Sequence, residues 1–295
     1  MTTALDDWRR RLGRVGVWIP PLGGNAEERR QIAARVEEQG FGSLWIGGGN
    51  AEPDAFDRLA SYLEGTAHLV VATGIANIWS RAPADMRAAA EGLAHRFPRR
   101  FVLGLGVSHA PLVESLGRVY ERPLATMRRY LEELDPTGPP EDPPRVIAAL
   151  GPAMLGLARD RTAGAHPYLV PPQHTAIARQ ELGADRLLVP EQAVLLTTGA
   201  PAREGARAYL SLYLRLPNYV SNLRRLGFES GDLERGGSDR LVDEIVAHGA
   251  ADAVSSRVRA HLDAGADHVL VQPLDNTGRA SLDGLDAVAR VLANL

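Results

Sequence analysis

Arg100-Phe101-Val102-Leu103-Gly104-Leu105-Gly106-Val107-Ser108-His109-Ala110-Pro111 is the stretch on which the fold turns. Its apolar run, Phe101 to Leu105, has the composition of a strand buried on both faces, as in a parallel sheet. The run breaks at Gly106 into a polar corner that ends in Ser108 and His109. A buried strand that delivers polar groups at its C-terminal end is the arrangement of an α/β-barrel active site. An ordinary strand with a glycine turn and a solvent-facing histidine would carry the same pattern. A dinucleotide fingerprint is excluded: His109 stands where the third glycine belongs, and no helix opens immediately.

The same alternation extends outward in both directions. Strand patterns occupy residues 15–19, 43–46 and 69–76 before it, and 146–150, 165–170, 186–189, 193–198 and 268–273 after it. Helical patterns fill 27–39, 53–64, 83–97, 121–134, 153–161, 175–181 and most of 201–264, and a last helix runs to the C-terminus. Gly40 suits the residue just past a helix end, and Pro53 a first helical turn. Residues 135–144 form a proline-rich connection. Roughly eight strand signals alternating with helices, with no dividing linker, predict an α/β fold: one (β/α)8 barrel over residues 1–295, with helical insertions. The largest insertion is expected at 217–250. A two-domain doubly wound sheet is the competing architecture.

Composition narrows the chemistry. The 295 residues are 45% hydrophobic with a net charge of −3, enough for a large core and no basic field for nucleic acid. There is no cysteine, hence no disulfide, thiolate metal site or cysteine nucleophile. All 33 strongly basic residues are arginine, which removes Schiff-base lysines and the P-loop lysine together. The arginine and alanine bias is that of a GC-rich genome. The first eleven residues are polar and no apolar run approaches a span of roughly 18 residues, so a cytoplasmic protein without membrane contact is expected.

In a barrel, the residues that follow the strands matter most. Here they are Gly47-Gly48-Gly49, Thr73-Gly74-Ile75-Ala76-Asn77, Gly106-Val107-Ser108-His109, Leu150-Gly151-Pro152-Ala153-Met154, His166, Glu191 and Gln272. Small residues dominate and titratable groups are few, which suits a large flat cofactor lying against backbone. At Gly151-Pro152 a helix starts directly after a strand, so its free N–H groups could hold an anion; a plain tight turn reads equally well. His109 and Glu191 are the candidate acid–base groups. His166 and His174 lack metal-ligand spacing, and Ser108 lacks a nucleophile elbow. His95, His248 and His261 are expected on helices, at the surface or in packing. Arg9-Arg10-Arg11 and Arg99-Arg100 are expected to be solvated.

The order of these signals resembles the luciferase-like monooxygenase superfamily. Val15-Gly16-Val17-Trp18, Gly40-Phe41-Gly42-Ser43-Leu44-Trp45, Ala72-Thr73-Gly74-Ile75, Gly104 to His109 and Leu150 to Met154 carry the resemblance, which covers residues 14–290. More narrowly, the chain is similar to actinobacterial oxidoreductases that use the deazaflavin coenzyme F420. The resemblance implies a barrel of the bacterial-luciferase type, with the cofactor across the C-terminal strand ends. It implies a non-prolyl cis peptide at Gly74-Ile75 forming a bulge behind the ring system. Cofactor contacts fall on Gly74, Ile75, Ala76, Asn77, Gly106, Val107 and Ser108, and the cofactor phosphate on Leu150, Gly151, Pro152, Ala153 and Met154. His109 falls where many relatives place a polar active-site residue. The implied activity is hydride transfer between F420 and a small organic substrate. The alternatives are an FMN-dependent monooxygenase and a non-catalytic cofactor-binding barrel. A small-molecule substrate is the partner expected, with a homodimer as the assembly left open. One departure stands out: Gly47-Gly48-Gly49 replaces the acidic or histidine pair that many relatives carry after the second strand.

Overall fold

The computed structural model describes residues 4–22, 24–48, 54–135, 137–138, 140 and 142–293. The expectations on Gly49 and Pro53, and part of the proline-rich connection, lie outside them. The chain opens with α1 (Ala4–Leu12), β1 (Val15–Ile19), α2 (Ala26–Glu38), β2 (Ser43–Ile46), α3 (Ala55–Glu64), β3 (Val70–Thr73), β4 (Ala76–Asn77), α4 (Pro83–Arg96) and β5 (Phe101–Gly106). There follow α5 (Ala110–Ser115), α6 (Pro123–Leu134), β6 (Arg145–Ile147), α7 (Pro152–Arg161), β7 (Gly164–Ala165), α8 (Pro172–Leu182), β8 (Leu187–Leu188) and β9 (Glu191–Leu195). The remainder is α9 (Ala200–Tyr213), α10 (Pro217–Arg225), a 3-10 turn (Ser230–Leu233), α11 (Asp239–Ile245), β10 (Ala247–His248), α12 (Ala251–Asp263), β11 (Val269–Pro273) and α13 (Leu285–Leu292).

Helix boundaries follow local chemistry. The Asn25 side chain caps α2 by accepting from the Glu28 N–H at 2.9 Å, and Gly40 leaves the helix at φ +82. Helices α4, α6, α7, α8 and α10 each begin on a proline, whose missing N–H is no loss in a first turn.

All strand pairs of the sheet are parallel, in the order β10-β9-β11-β1-β2-β3-β5-β6-β7-β8 with β4 beside β5. The sheet closes because β8 and β9 are halves of one barrel strand. The Leu187 and Val189 N–H groups donate to Ala163 and Ala165, while Leu188 and Pro190 accept from Asp267 and Leu270 on the other side. The predicted strands 186–189 and 193–198 are therefore a single strand, interrupted where Pro190 lacks an N–H. The predicted strand 165–170 shrinks to β7, because Pro167 and a left-handed Leu169 (φ +59) turn the chain away. Likewise 146–150 pairs only as far as Ile147, since Gly151-Pro152 opens α7.

Side chains alternate across the barrel wall with period two. Val17, Ile19, Leu44, Ile46, Val71, Phe101, Leu103 and Leu105 point outward to the helices. Trp18, Trp45, Val70, Ala72, Val102, Val146 and Val189 fill the interior, where Trp8 and Leu12 of α1 join them. Polar plugs complete the structure. His268 Nδ1 donates to Gly13 O (2.9 Å), and Ser43 Oγ lies 2.7 Å from its Nε2. His261 is buried on α12 between Thr175 Oγ1 (2.7 Å) and Gln192 Oε1 (3.0 Å). His248 lies on β10 rather than a helix. Two arginines expected in solvent are instead braces: Arg9 Nε reaches Asp267 Oδ1 at 2.9 Å, and Arg100 donates to Leu63 O at 2.9 Å and Leu69 O at 3.2 Å. Among the described residues, no helix is long and apolar enough to cross a membrane.

Candidate functional site

Small residues stand at the C-terminal ends of β2 (Gly47, Gly48), β3 (Gly74), β5 (Gly106) and β6 (Ala148, Ala149). The Gly74-Ile75 peptide is cis, as the resemblance implied. Ile75 lies directly over Gly106: a Cβ there would come within 2.5 Å of Ile75 Cδ1. A Cβ on Gly104 would sit 2.0 Å from Thr73 O, so the Gly104-x-Gly106 spacing serves close strand approach rather than a phosphate. Thr73 Oγ1 donates to Gly104 O (2.6 Å) and accepts from its N–H (2.8 Å), locking the two strands. The register then sets Ala76 beside Leu105 and Asn77 beside Gly106. Ile75, Val107, Ser108 and His109 remain partly exposed at the mouth, whereas Ala76 is buried among the outer-core residues. Asn77 Oδ1 accepts from the Trp79 N–H at 3.0 Å, leaving its buried Nδ2 without a partner.

Trp18 explains the glycines after β2. Its indole lies on Gly47, where a Cβ would come within 1.8 Å of Cζ2, and its Nε1 donates to Gly74 O at 2.9 Å. The aromatic ring takes the space that a longer side chain after β2 would need.

From Trp18 an arc of rings crosses the mouth. Successive ring centroids are 5.1 Å apart for Trp18–Tyr168, 5.4 Å for Tyr168–Tyr213, 5.3 Å for Tyr213–Tyr219 and 5.4 Å for Tyr219–His109. Tyr209 and Tyr213 lie one turn apart on α9, and Tyr219 is on α10, so α9 and α10 supply two of the five rings of this arc, with Tyr209 beside Tyr213. Behind it, Tyr168 Oη meets Gln272 Oε1 at 2.7 Å.

The two candidate acid–base residues are separated. His109 caps α5 at the mouth. Burial pulls its pKa below the usual 6.5, the nearby Asn218 opposes this, and its Nδ1 has no partner. Glu191 begins β9, in the middle of a barrel strand rather than at its end. It is fully buried behind the tyrosines, with Oε2 accepting from the Leu169 N–H at 3.1 Å and Oε1 3.5 Å from Tyr209 Oη. Burial pushes its pKa up to about 8, against those two hydrogen bonds. His166, the other strand-end histidine, donates from Nδ1 to Val189 O at 2.7 Å and packs 4.9 Å from Trp45. It is a core residue, with its pKa lowered to about 4 by burial.

Ala148 borders Gly106, where a Cβ would stand 3.4 Å from its own, and Leu150 to Met154 follow it after β6. His174 Nε2 donates to Leu150 O at 2.8 Å, and Gly151 caps α7. Arg225 at the end of α10 reaches this corner: a Cβ on Gly151 would stand 3.2 Å from its Nη2. A guanidinium thus lies against a helix N-terminus, two positive features at one point. Sequence reading missed Trp18, the four tyrosines and Arg225. Only the i, i+4 spacing of Tyr209 and Tyr213 was a visible signal.

Residues 12–137 match the luciferase-like monooxygenase family. A Mycobacterium tuberculosis protein named as a coenzyme F420-dependent oxidoreductase is 28% identical over 165 residues, which is 55% of this chain and 45% of that protein. The chain thus matches less than half the length of this curated relative. Among solved structures, a coenzyme F420-dependent tetrahydromethanopterin reductase from Methanopyrus kandleri superposes with a TM-score of 0.75 at 15% identity, over 95% of this chain and 97% of that one. The FMN-bound oxygenating constituent of 3,6-diketocamphane monooxygenase from Pseudomonas putida gives 0.66 at 12% identity, over 95% and 96%. The chain is thus similar in sequence to the luciferase-like monooxygenase family across β1 to β5, and it shares the fold of these solved structures over nearly its whole length.

Proposed function

We propose that the chain is an oxidoreductase that binds coenzyme F420 at the barrel mouth and acts on a small organic substrate. When bound, the deazaflavin supplies the hydride-exchanging carbon. The reading rests on one observation above all: a flat floor of Ile75, Gly106 and Val107 runs into a cationic corner made by the α7 N-terminus and Arg225. The floor matches a planar ring system and the corner its phosphate. Ile75 and Val107 would back the ring, Gly151 would let the phosphate approach, and Arg225 would neutralise it. Trp18 and Tyr168 close the opposite side and keep water from it. His109, neutral at pH 7, would take or return the substrate proton. Glu191 lies behind Tyr209 and is assigned no contact with substrate.

The F420-dependent relative and the F420-dependent fold neighbours favour the deazaflavin. The FMN-bound neighbour is the observation on the side of a flavin monooxygenase. Fluorescence titration of the purified apo-protein should show F420 binding at least ~10-fold tighter than FMN, a difference of about 1.4 kcal/mol. Equal or reversed affinities would overturn the proposal.

A further inference from the structure

Glu191 is a buried carboxyl that the reading of the mouth leaves without a task. Its Oε2 accepts from the Leu169 N–H at 3.1 Å. A backbone N–H only donates, so Oε2 is held as an acceptor and Oε1 is the oxygen free to gain or lose a proton. Oε1 faces Tyr209 Oη at 3.5 Å, Tyr209 Oη lies 3.0 Å from Tyr168 Oη, and Tyr168 Oη lies 2.7 Å from Tyr213 Oη. Tyr168 and Tyr209 are buried, whereas Tyr213 keeps exposed surface in the arc of rings at the mouth. Each phenol has one proton and an oxygen that also accepts, so it can take a proton on one side and release its own on the other. Tyr168 has a further oxygen neighbour, Gln272 Oε1 at 2.7 Å, so its proton can turn between Gln272 and Tyr213. The hydroxyl protons are not locked in one arrangement, and a relay needs that freedom.

We propose that Glu191 is a proton reservoir for the barrel mouth and exchanges its proton through Tyr209, Tyr168 and Tyr213. On the outward pass the Glu191 O–H bond breaks and its proton passes to Tyr209. Tyr209 passes its own to Tyr168, Tyr168 to Tyr213, and Tyr213 releases one to a base or water in the mouth. The phenols end neutral, and Glu191 remains as a carboxylate held by the Leu169 N–H and the Tyr209 O–H. Charge on the carboxylate strengthens and shortens that last contact, the longest of the chain. The return pass reverses every step, and no electrons move. Burial raises the pKa of Glu191 to about 8, so both its states are reached near neutral pH. Burial also raises all three phenols, so none of them stores the charge instead. Tyr219 of α10 is a further titratable group that feels the Glu191 charge. The use of the reservoir in hydride transfer rests on the reading of the mouth as the reaction site, whereas its existence does not.

The test is read on the purified apo-protein by time-resolved infrared spectroscopy. The carbonyl band of a protonated carboxyl that disappears in Glu191→Gln reports Glu191. After a jump from about pH 6 to about pH 9 that band should decay in the wild type. Tyr168→Phe and Tyr213→Phe, which keep the rings and remove the relaying hydroxyls, should each slow the decay at least ~10-fold. The titration midpoint of the band should stay in place, which separates a broken relay from a changed environment. Tyr130→Phe, remote from the chain, should leave the rate unchanged. No such band at pH 6, an unchanged rate in either Tyr168→Phe or Tyr213→Phe, or a slower rate accounted for by a shifted midpoint would each overturn the inference. Failure of F420 to bind would reject the cofactor assignment and leave the relay standing, because the exchange is measured without cofactor.

Discussion

His109 reaches the mouth through an uncommon backbone step. Ser108, immediately before it, has φ +58, a left-handed conformation that costs a non-glycine residue roughly 1–2 kcal/mol. The turn ends β5 and sets the imidazole against Tyr219 rather than in open solvent. If His109 is the acid–base group, His109→Ala should lower hydride transfer by roughly 10²–10⁴-fold with little change in cofactor affinity. Burial depresses its pKa, so the neutral form persists below pH 6.5. Activity should fall on the acid side only as pH drops through that depressed value. Stopped-flow rates across pH check both statements, and a retained rate with weakened cofactor binding would make His109 a binding residue instead.

At the scale of elements, the decisive junction is between α7 and α10. The N-terminus of α7 sits beside the floor because Gly151-Pro152 starts the helix at once after β6, while Arg225 comes from the insertion. Gly151→Asp should place a carboxylate against Arg225 and in the path of a phosphate. Affinity for F420 should drop steeply while its phosphate-free core changes little. Arg225→Ala should weaken F420 by about tenfold and reduce the salt dependence of binding. Equal losses for F420 and its phosphate-free core, read by the same titration, would make the corner a purely structural turn.

For the whole molecule, buried titratable groups set the pH range of stability. Glu191 is raised to about 8 from an ordinary 4.5. Its neutral form stabilises the fold fully below about pH 4.5, and that contribution is lost as pH rises to about 8. The loss is about 1.4 kcal/mol per pH unit. His166 and His268 are lowered to about 4 and His261 to about 3 by burial. Their contribution is present above about pH 6.5 and is lost as pH falls through those values. Glu191→Gln keeps a neutral donor in the same volume. Its Tm should therefore exceed the wild type's increasingly between pH 5 and 8, and thermal melts showing parallel pH curves would contradict the assignment.

Local sequence determined the barrel. Two-sided apolar runs such as Phe101 to Leu105 have no stable place except a parallel sheet wrapped by helices, and prolines and glycines mark where those helices begin and end. The floor was legible for the same reason: Gly74-Ile75 and Gly104-x-Gly106 are short-range features of adjacent strands. Pairing across the barrel was not legible. Residues 186–189 and 193–198 became one strand only because both flanks found partners, and Glu191 moved from an apparent strand end into the interior with it. The wall of the site, from Trp18 to Tyr168, Tyr213, Tyr219 and His109, joins residues as much as 200 positions apart (roughly, along the chain). No local pattern ties a ring on β1 to a helix inserted after β9. Only closure of the barrel brings those rings and the Arg225 guanidinium to one end of the molecule.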